Sequence, residues 1–344
     1  MPLSSLWTRR PARSRRETAL CGRISTLEAR QLLAGNVTAV FIGLDLVITG
    51  DKSSNSVEVR FNGVDVVVHG LNGTKINGSS ADVIAVAASN TLPGELRFDL
   101  KKGNDLAYVD DGVVVTGDLI VAPSAGNDST VIVDTTAAGI EVGQLLFSPD
   151  DLGDDRVFVQ NSTAGRISVA TGSGNDVVAI DNLAGLNDAG FQLGAGDDVL
   201  AGVIDTTDFA LIATGAGNDL IEGAVSAGGF AIDLEAGNDV LFLVALEQTD
   251  PTRQATINLG QGNDRATVGL GASVNIASQL YVTGSKGVDK FFLFPGATLL
   301  NGVLYQEIES LAPYLVITDP TITKDFKASI KRTNVFEDFV NALP

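Results

Sequence analysis

The chain has 344 residues, a net charge of −19, and only one each of Trp, Cys, Met and His. Trp7, Cys21 and Met1 all lie in the first 21 positions, so the body has no disulfide, no thiol chemistry and no Cys/His cluster for tetrahedral zinc. Its acidity repels polyanions, which argues against nucleic acid and anionic lipid as partners, and no apolar run approaches the ~18 residues of a membrane span.

Residues 1–33 stand apart in composition. Arg9, Arg10, Arg13, Arg15, Arg16, Arg23 and Arg30 against Glu17 and Glu28 give residues 1–30 a net charge of +5, which leaves −24 on residues 31–344. An arginine-rich, acid-poor start is how targeting segments read, although the continuous apolar stretch of an ordinary signal peptide is missing. The stretch LEARQLL at 27–33 resembles the LEPR-XLL segment near the start of large exported proteins of planctomycete-type bacteria, departing from it at Ala29, where that pattern has proline. The resemblance implies export or surface display. By composition alone the same residues are a disordered basic arm with a short amphipathic helix from Ser25 to Leu33.

The stretch NVTAVFIGLDLVITG at 36–50 reads as strands that open the fold. A repeat then takes over: GSGNDVVAI at 172–180 returns as GAGDDVLAG at 194–202, GAGNDLIEG at 215–223, EAGNDVLFL at 235–243 and GQGNDRATV at 260–268. Aligned on the last aspartate, the copies fall at Asp105, Asp128, Asp155, Asp176, Asp198, Asp219, Asp239, Asp264 and Asp289, with separations of 20 to 27 residues. Asn55 and Asp82 extend the register upstream as two degenerate copies. Runs of four to seven residues rich in Val, Ile, Leu and Phe flank each motif, and no helical period lies between them. Each repeat therefore reads as strand, glycine turn, strand and return, and a period of this length signals a solenoid. The expectation is an all-β, right-handed parallel β-helix of about eleven coils over residues 34–310, a rod on the order of 50 Å long. Residues 311–344 change composition, and NVFEDFVNAL there reads as an amphipathic helix within a C-terminal cap.

The motif G-x-G-x-D at 172–176, 194–198, 215–219 and 260–264, with Val178, Leu200 and Ile221 two places on in three copies, resembles the glycine- and aspartate-rich nonapeptide of RTX (repeats-in-toxin) proteins. The match is partial: the family's first glycine is replaced by Thr171, Leu193, Thr214 and Leu259, and its second by Lys101, Ser124, Asp151, Glu235 and Ser285. The resemblance implies calcium between neighbouring coils, held by backbone carbonyls and by Asp155, Asp176, Asp198, Asp219, Asp239 and Asp264. It also ranks them, with Asp176, Asp198 and Asp219 in complete motifs and Asp128 and Asp239 in degraded ones.

Physical chemistry gives the aspartates a problem of their own. Carboxylates about 4.8 Å apart repel by about 0.9 kcal/mol at a dielectric of ~80 and about 3.5 kcal/mol at ~20. Over several coils that rivals a domain's whole stability, and a hard cation with oxygen ligands would offset it. The other solution is a metal-free turn, in which the acids accept backbone N–H groups and Asn175, Asn218, Asn238 and Asn263 stack as an amide ladder. A phosphate-binding loop does not fit, because an aspartate follows the glycines and the chain enters a strand instead of a helix.

These features describe an exported, calcium-binding structural or adhesive β-helix of the cell surface or extracellular matrix, with calcium and a surface polysaccharide or protein as partners. The rival is a carbohydrate-active β-helix enzyme of polysaccharide lyase or glycosidase type, for which Asp154, Asp155 and Arg156, or Asp264 and Arg265, are the local acid–base pairings. Sugar-stacking aromatics are scarce in the body. Phe242, Phe291, Phe292 and Phe294 read as core closure near the cap in preference to an adhesive patch, and His69 as a strand-end surface residue.

Overall fold

Each glycine turn is flanked by runs in which apolar residues alternate, and both runs fold as strands. The computed structural model describes residues 35–143, 152–269, 273–294, 296–306, 308 and 310–312. The basic segment over 1–33, Asp151, and all of the expected C-terminal cap except its first two residues lie outside these. Among the described residues every regular element is a strand, and the strands form one sheet of thirteen and one of eighteen. No helix among them is long and apolar enough to cross a membrane.

One coil shows the plan. Arg166–Ser173 runs in the first sheet, the turn through Gly174 and Asp176 crosses the edge, Val177–Ala184 runs in the second sheet, and a short return leads into Asp188–Ala195. Arg166–Ser173, Asp188–Ala195 and Phe209–Ala216 pair in parallel, as do Val177–Ala184, Val199–Asp205 and Leu220–Ala227. The result is a parallel β-solenoid of stacked coils, with about nine turns where the sequence suggested eleven.

The interior is a set of side-chain rows running from coil to coil. Ile167, Ala189, Ala210, Phe230, Ala255 and Leu280 form one row of cross-strand partners, and Val169, Phe191, Ile212, Ile232, Ile257 and Val282 form the next. All are buried. Ala189 stands where the neighbouring row carries Phe191, so large and small residues compensate within one coil, as close packing of a narrow core demands. Phe291 belongs to this core and packs against Tyr305 with the rings tilted and their centroids 5.8 Å apart. Phe242 and Phe292 are buried as well, so an exposed adhesive patch is not formed by these three.

The first coil departs from the repeat. Ser56–Phe61 pairs directly with Leu106–Asp110 in parallel, so the residues between them do not complete a coil of their own. Residues 66–86 fold into antiparallel pairings instead, Val66–Gly70 on Ser56–Phe61 and on Val83–Val86, before Leu96–Asp99 rejoins the first sheet in parallel beside Asp45–Thr49, with which Asn36–Ile42 pairs antiparallel. Asn55 takes the predicted place at the head of the aspartate column, but Asp82 does not; it lies in the antiparallel excursion, bonded to His69 and Arg60.

The glycine two places before each aspartate explains the difference. From Gly103 to Gly287 this residue has φ between +138° and +159°. From Gly126 onward, a Cβ there would sit 1.3–1.8 Å from the carbonyl oxygen of the equivalent glycine in the preceding coil. Only glycine can fill a stacked position. Asp82 has Ser80 there and cannot stack, whereas Asn55 tolerates Ser53 because its turn has no earlier glycine turn to clash with among the described residues. Gly196→Ala should therefore cost about 3 kcal/mol or more or prevent folding. Gly190→Ala, where a Cβ meets nothing within 4 Å, should be close to neutral, and denaturant unfolding of the two variants checks the contrast.

Candidate functional site

The turn that follows each stacked glycine presents two residues in succession, and they face opposite ways. The first of the pair, Asn104, Asn127, Asp154, Asn175, Asp197, Asn218, Asn238 and Asn263 in successive coils, is exposed. The second is buried in every coil: Asp105, Asp128, Asp155, Asp176, Asp198, Asp219, Asp239, Asp264 and Asp289 are all at most 5% exposed. All six aspartates expected to hold metal thus lie in one column with three more, and the column faces the interior.

A continuous ladder runs through the buried column. The backbone N–H of Asn55 donates to Asp105 Oδ1 at 2.7 Å, and that of each aspartate donates to Oδ1 of the next, ending with Asp264 on Asp289 at 3.1 Å. The outer column runs in the opposite sense. There each backbone N–H donates to the side-chain oxygen of the preceding coil, as in Asp197 on Asn175 and Asn218 on Asp197, both at 2.8 Å. Asn218, Asn238 and Asn263 also donate Nδ2 to the preceding side chain at 3.0 Å, so the expected amide ladder forms over these three, while Asp197 stands between Asn218 and Asn175.

The degraded motifs keep this geometry. Lys101 and Glu235, standing where other coils have glycine, adopt φ of 71° and 60°, and Asp239 still accepts the Asp219 N–H at 2.8 Å. In these two coils the position holds a side chain at positive φ, whereas at Gly194, Gly215 and Gly260 a Cβ would sit 1.6–1.9 Å from a carbonyl oxygen of the preceding coil, as at the stacked glycine two residues on.

The second carboxylate oxygen is the unusual feature. Oδ2 of Asp105, Asp176, Asp198, Asp219, Asp239 and Asp264 is buried without a hydrogen-bond partner among the described residues. Burial pushes these carboxyls up, against the lowering effect of the backbone N–H: Asp105, Asp198 and Asp239 to about 7, Asp176 to about 6, and Asp219 and Asp264 in the same direction. Asp128 is raised to about 6 by the same desolvation. Neighbouring aspartates add to the rise at Asp198 and Asp239.

Among the described residues no group of three or more His, Cys, Asp or Glu is placed to hold a metal ion. A cation at the column would have to be met by one or two of these orphaned Oδ2 atoms together with main-chain carbonyl and hydroxyl oxygens. That all-oxygen donor set fits a hard cation such as calcium and no softer metal.

Of the acid–base pairings considered for an enzyme, the first has its two carboxyls on different faces. Asp154 and Asp155 face opposite sides of their turn, one exposed and one buried. A different cluster, with no motif to announce it, surrounds His69, which sits within Val66–Gly70. Its Nδ1 is 2.6 Å from Asp82 Oδ1, Arg60 reaches the other Asp82 oxygen at 3.4 Å and Glu58 at 3.2 Å, and the Tyr108 hydroxyl donates to Asp110. This network fastens the antiparallel excursion to the first coils.

No family model matches the chain, and no curated protein or solved structure matches it either.

The raised carboxyls fix the sign of a pH effect. An unfolded aspartate releases its proton near pH 3.8, whereas the folded column holds its protons toward pH 6 to 7. Stability is therefore greatest in acid and is lost as pH rises between these values. In chelator the melting temperature should be higher at pH 5 than at pH 7.5, and the difference should shrink in Asp198→Asn. A flat or rising profile over that range would mean that the column is not desolvated.

Proposed function

We propose that this protein is an exported, calcium-binding β-solenoid rod with a structural or adhesive role at the cell surface or in the extracellular matrix. The observation that carries the reading is the column of buried aspartates with orphaned Oδ2 atoms, a run of desolvated negative charge in a chain that is already strongly acidic. Calcium, when bound, supplies the positive charge that offsets this repulsion. The partial likeness of the turns to RTX repeats supports the same ion. The aspartates take the cation through Oδ2 while Oδ1 keeps the coil-to-coil hydrogen bond, so binding and stacking reinforce each other.

The reading also assigns the arginine-rich start of the chain to export, on the strength of its charge contrast with the body and of LEARQLL at 27–33. Deleting residues 1–33 should leave the melting temperature unchanged and abolish export. A truncated chain that cannot fold would instead make the segment part of the fold.

A proton is the competing neutraliser, favoured by carboxyls that titrate near 7. One substitution separates the two. Asp198→Asn keeps an Oδ1 acceptor for the Asp176 N–H but removes the charge. If calcium occupies the column, the change weakens binding and lowers the melting temperature in calcium, and the parent melts several degrees higher in calcium than in chelator. If the column is metal-free, the same change relieves repulsion and raises the melting temperature in both media.

A further inference from the structure

A side chain on the outer face of a solenoid wall is exposed unless something lies over it. The first sheet obeys this: Leu211, Tyr281 and Leu304, in the outward row that continues from Ser168 and Gly190, are 39%, 39% and 50% exposed. The second sheet does not. In its outward row Val131, Phe158 and Ala179 are partners in successive coils, and Phe242, Thr267 and Phe292 are partners further on, all at most 8% exposed, with Ala201 and Glu222 half-buried between the two sets. These residues point outward because their strand neighbours, Val157 and Val159 or Leu241 and Leu243, fill the interior.

Lateral neighbours on a sheet shield the edges of an outward ring but leave its far side open, so they do not account for the burial of Phe158 and Phe242. Neither ring is without a partner. Leu106, Val131, Phe158 and Ala179 form a buried apolar cluster separate from the core, and Leu220, in the adjacent outward column, is buried as well. Near the far end of the row Arg265 lies over the Phe292 ring at 5.4 Å. Left open, this face would be an apolar patch spanning several coils, which a soluble surface rarely tolerates.

We infer that the chain's own C-terminal segment, residues 313–343, is a strap laid across the outer face of the second sheet. The chain reaches this face at the right place, because Ala312 is the register partner of Phe292 and the segment follows directly. Its sequence has the matching face: Phe336, Phe339, Val340 and Leu343 recur at the spacing of one helical stripe, with Glu337, Asp338 and Asn341 on the other side. The row from Phe292 back to Val131 is about 34 Å long at ~4.8 Å per coil, and the segment spans about 46 Å even if wholly helical. Its four acids and four bases cancel, so it meets the acidic body without net repulsion. Leu33–Pro344 also forms one compact unit, from which Met1–Leu32 is separate, which favours this end of the chain over the arginine-rich start. The strap ties successive coils together from outside and leaves the first sheet as the open wall, whatever fills the aspartate column.

Thiol labelling tests this in the full chain carrying Cys21→Ser, with one probe cysteine at a time: Ala179→Cys or Thr267→Cys on the covered row, and Leu211→Cys on the open wall. A water-soluble maleimide should modify the first two roughly tenfold or more slowly than the third. Adding Phe326→Asp and Phe339→Asp should bring one or both of the protected thiols to the rate of the open one. Should that double change prevent folding, Phe339→Ser provides the same comparison with a smaller disturbance. Equal rates at all three positions in the parent would mean that the face is open and overturn the strap. Protection that survives the changes at 326 and 339 overturns it too, and its loss on deleting residues 1–33, or on dilution, would then assign the face to the N-terminal segment or to a second copy of the chain.

Discussion

The structure depends on the approach of one glycine to the next across the turn edge. Successive coils can stack at hydrogen-bonding distance only where a Cβ is absent, because the space it would occupy already holds the carbonyl of the coil before. Once the glycines meet, the two residues that follow are delivered to fixed places, one outside and one inside. Their backbone N–H groups, which a turn leaves without sheet partners, are then met by side chains. The inner ladder passes each N–H forward to the next coil and the outer ladder passes it back, so every turn is tied in both directions along the rod.

The two ladders solve the same hydrogen-bond problem with different chemistry, and that difference is informative. Outside, six of the eight acceptors are amides and only Asp154 and Asp197 are charged, so the exposed column carries little repulsion. Inside, every position after Asn55 is a carboxyl. An amide oxygen would accept the N–H equally well, but its Nδ2 would bury two donors. Asn55 manages this at the end of the rod, where Nδ2 finds the Ser53 and Leu100 carbonyls and Asp105 Oδ1. In mid-column the unfilled acceptors are the Oδ2 atoms of the neighbouring aspartates. A carboxyl avoids the buried donors at the cost of desolvated charge, which makes the rod's stability sensitive to whatever neutralises it.

Much of this could be read before folding. The period, the strands on either side of the turn, the column of aspartates and the amide ladder all follow from residue spacing, since a solenoid puts equal positions in line. The direction in which the aspartates face could not be read, because a turn residue two places after glycine can point either way and only the crossing of the two sheets decides it. Asp82 shows a second limit. Its spacing fits the register, but Ser80 forbids stacking, a constraint visible only once the glycine-to-glycine approach is known. The cluster of Glu58, Arg60, His69 and Asp82 had no signal at all, since antiparallel register and not a motif brings those positions together.

The departures from the repeat at the start of the rod have a common origin. A parallel solenoid presents an open edge on which another strand can add. Here the first coil is followed by pairings of the opposite sense, Asn36–Ile42 on Asp45–Thr49 and Val66–Gly70 on Ser56–Phe61, and a strand added to these would not continue the coil-to-coil register. The turn column ends at the same level. Asn55 donates its N–H into the ladder, and the space beside its Oδ1 is so close to Gly35 that a Cβ on that residue would lie 1.9 Å away. Ser53 in place of glycine, asparagine in place of aspartate and an ion network in place of a turn are thus what the chain needs where stacking stops, and the failure of the motif marks the end of the rod.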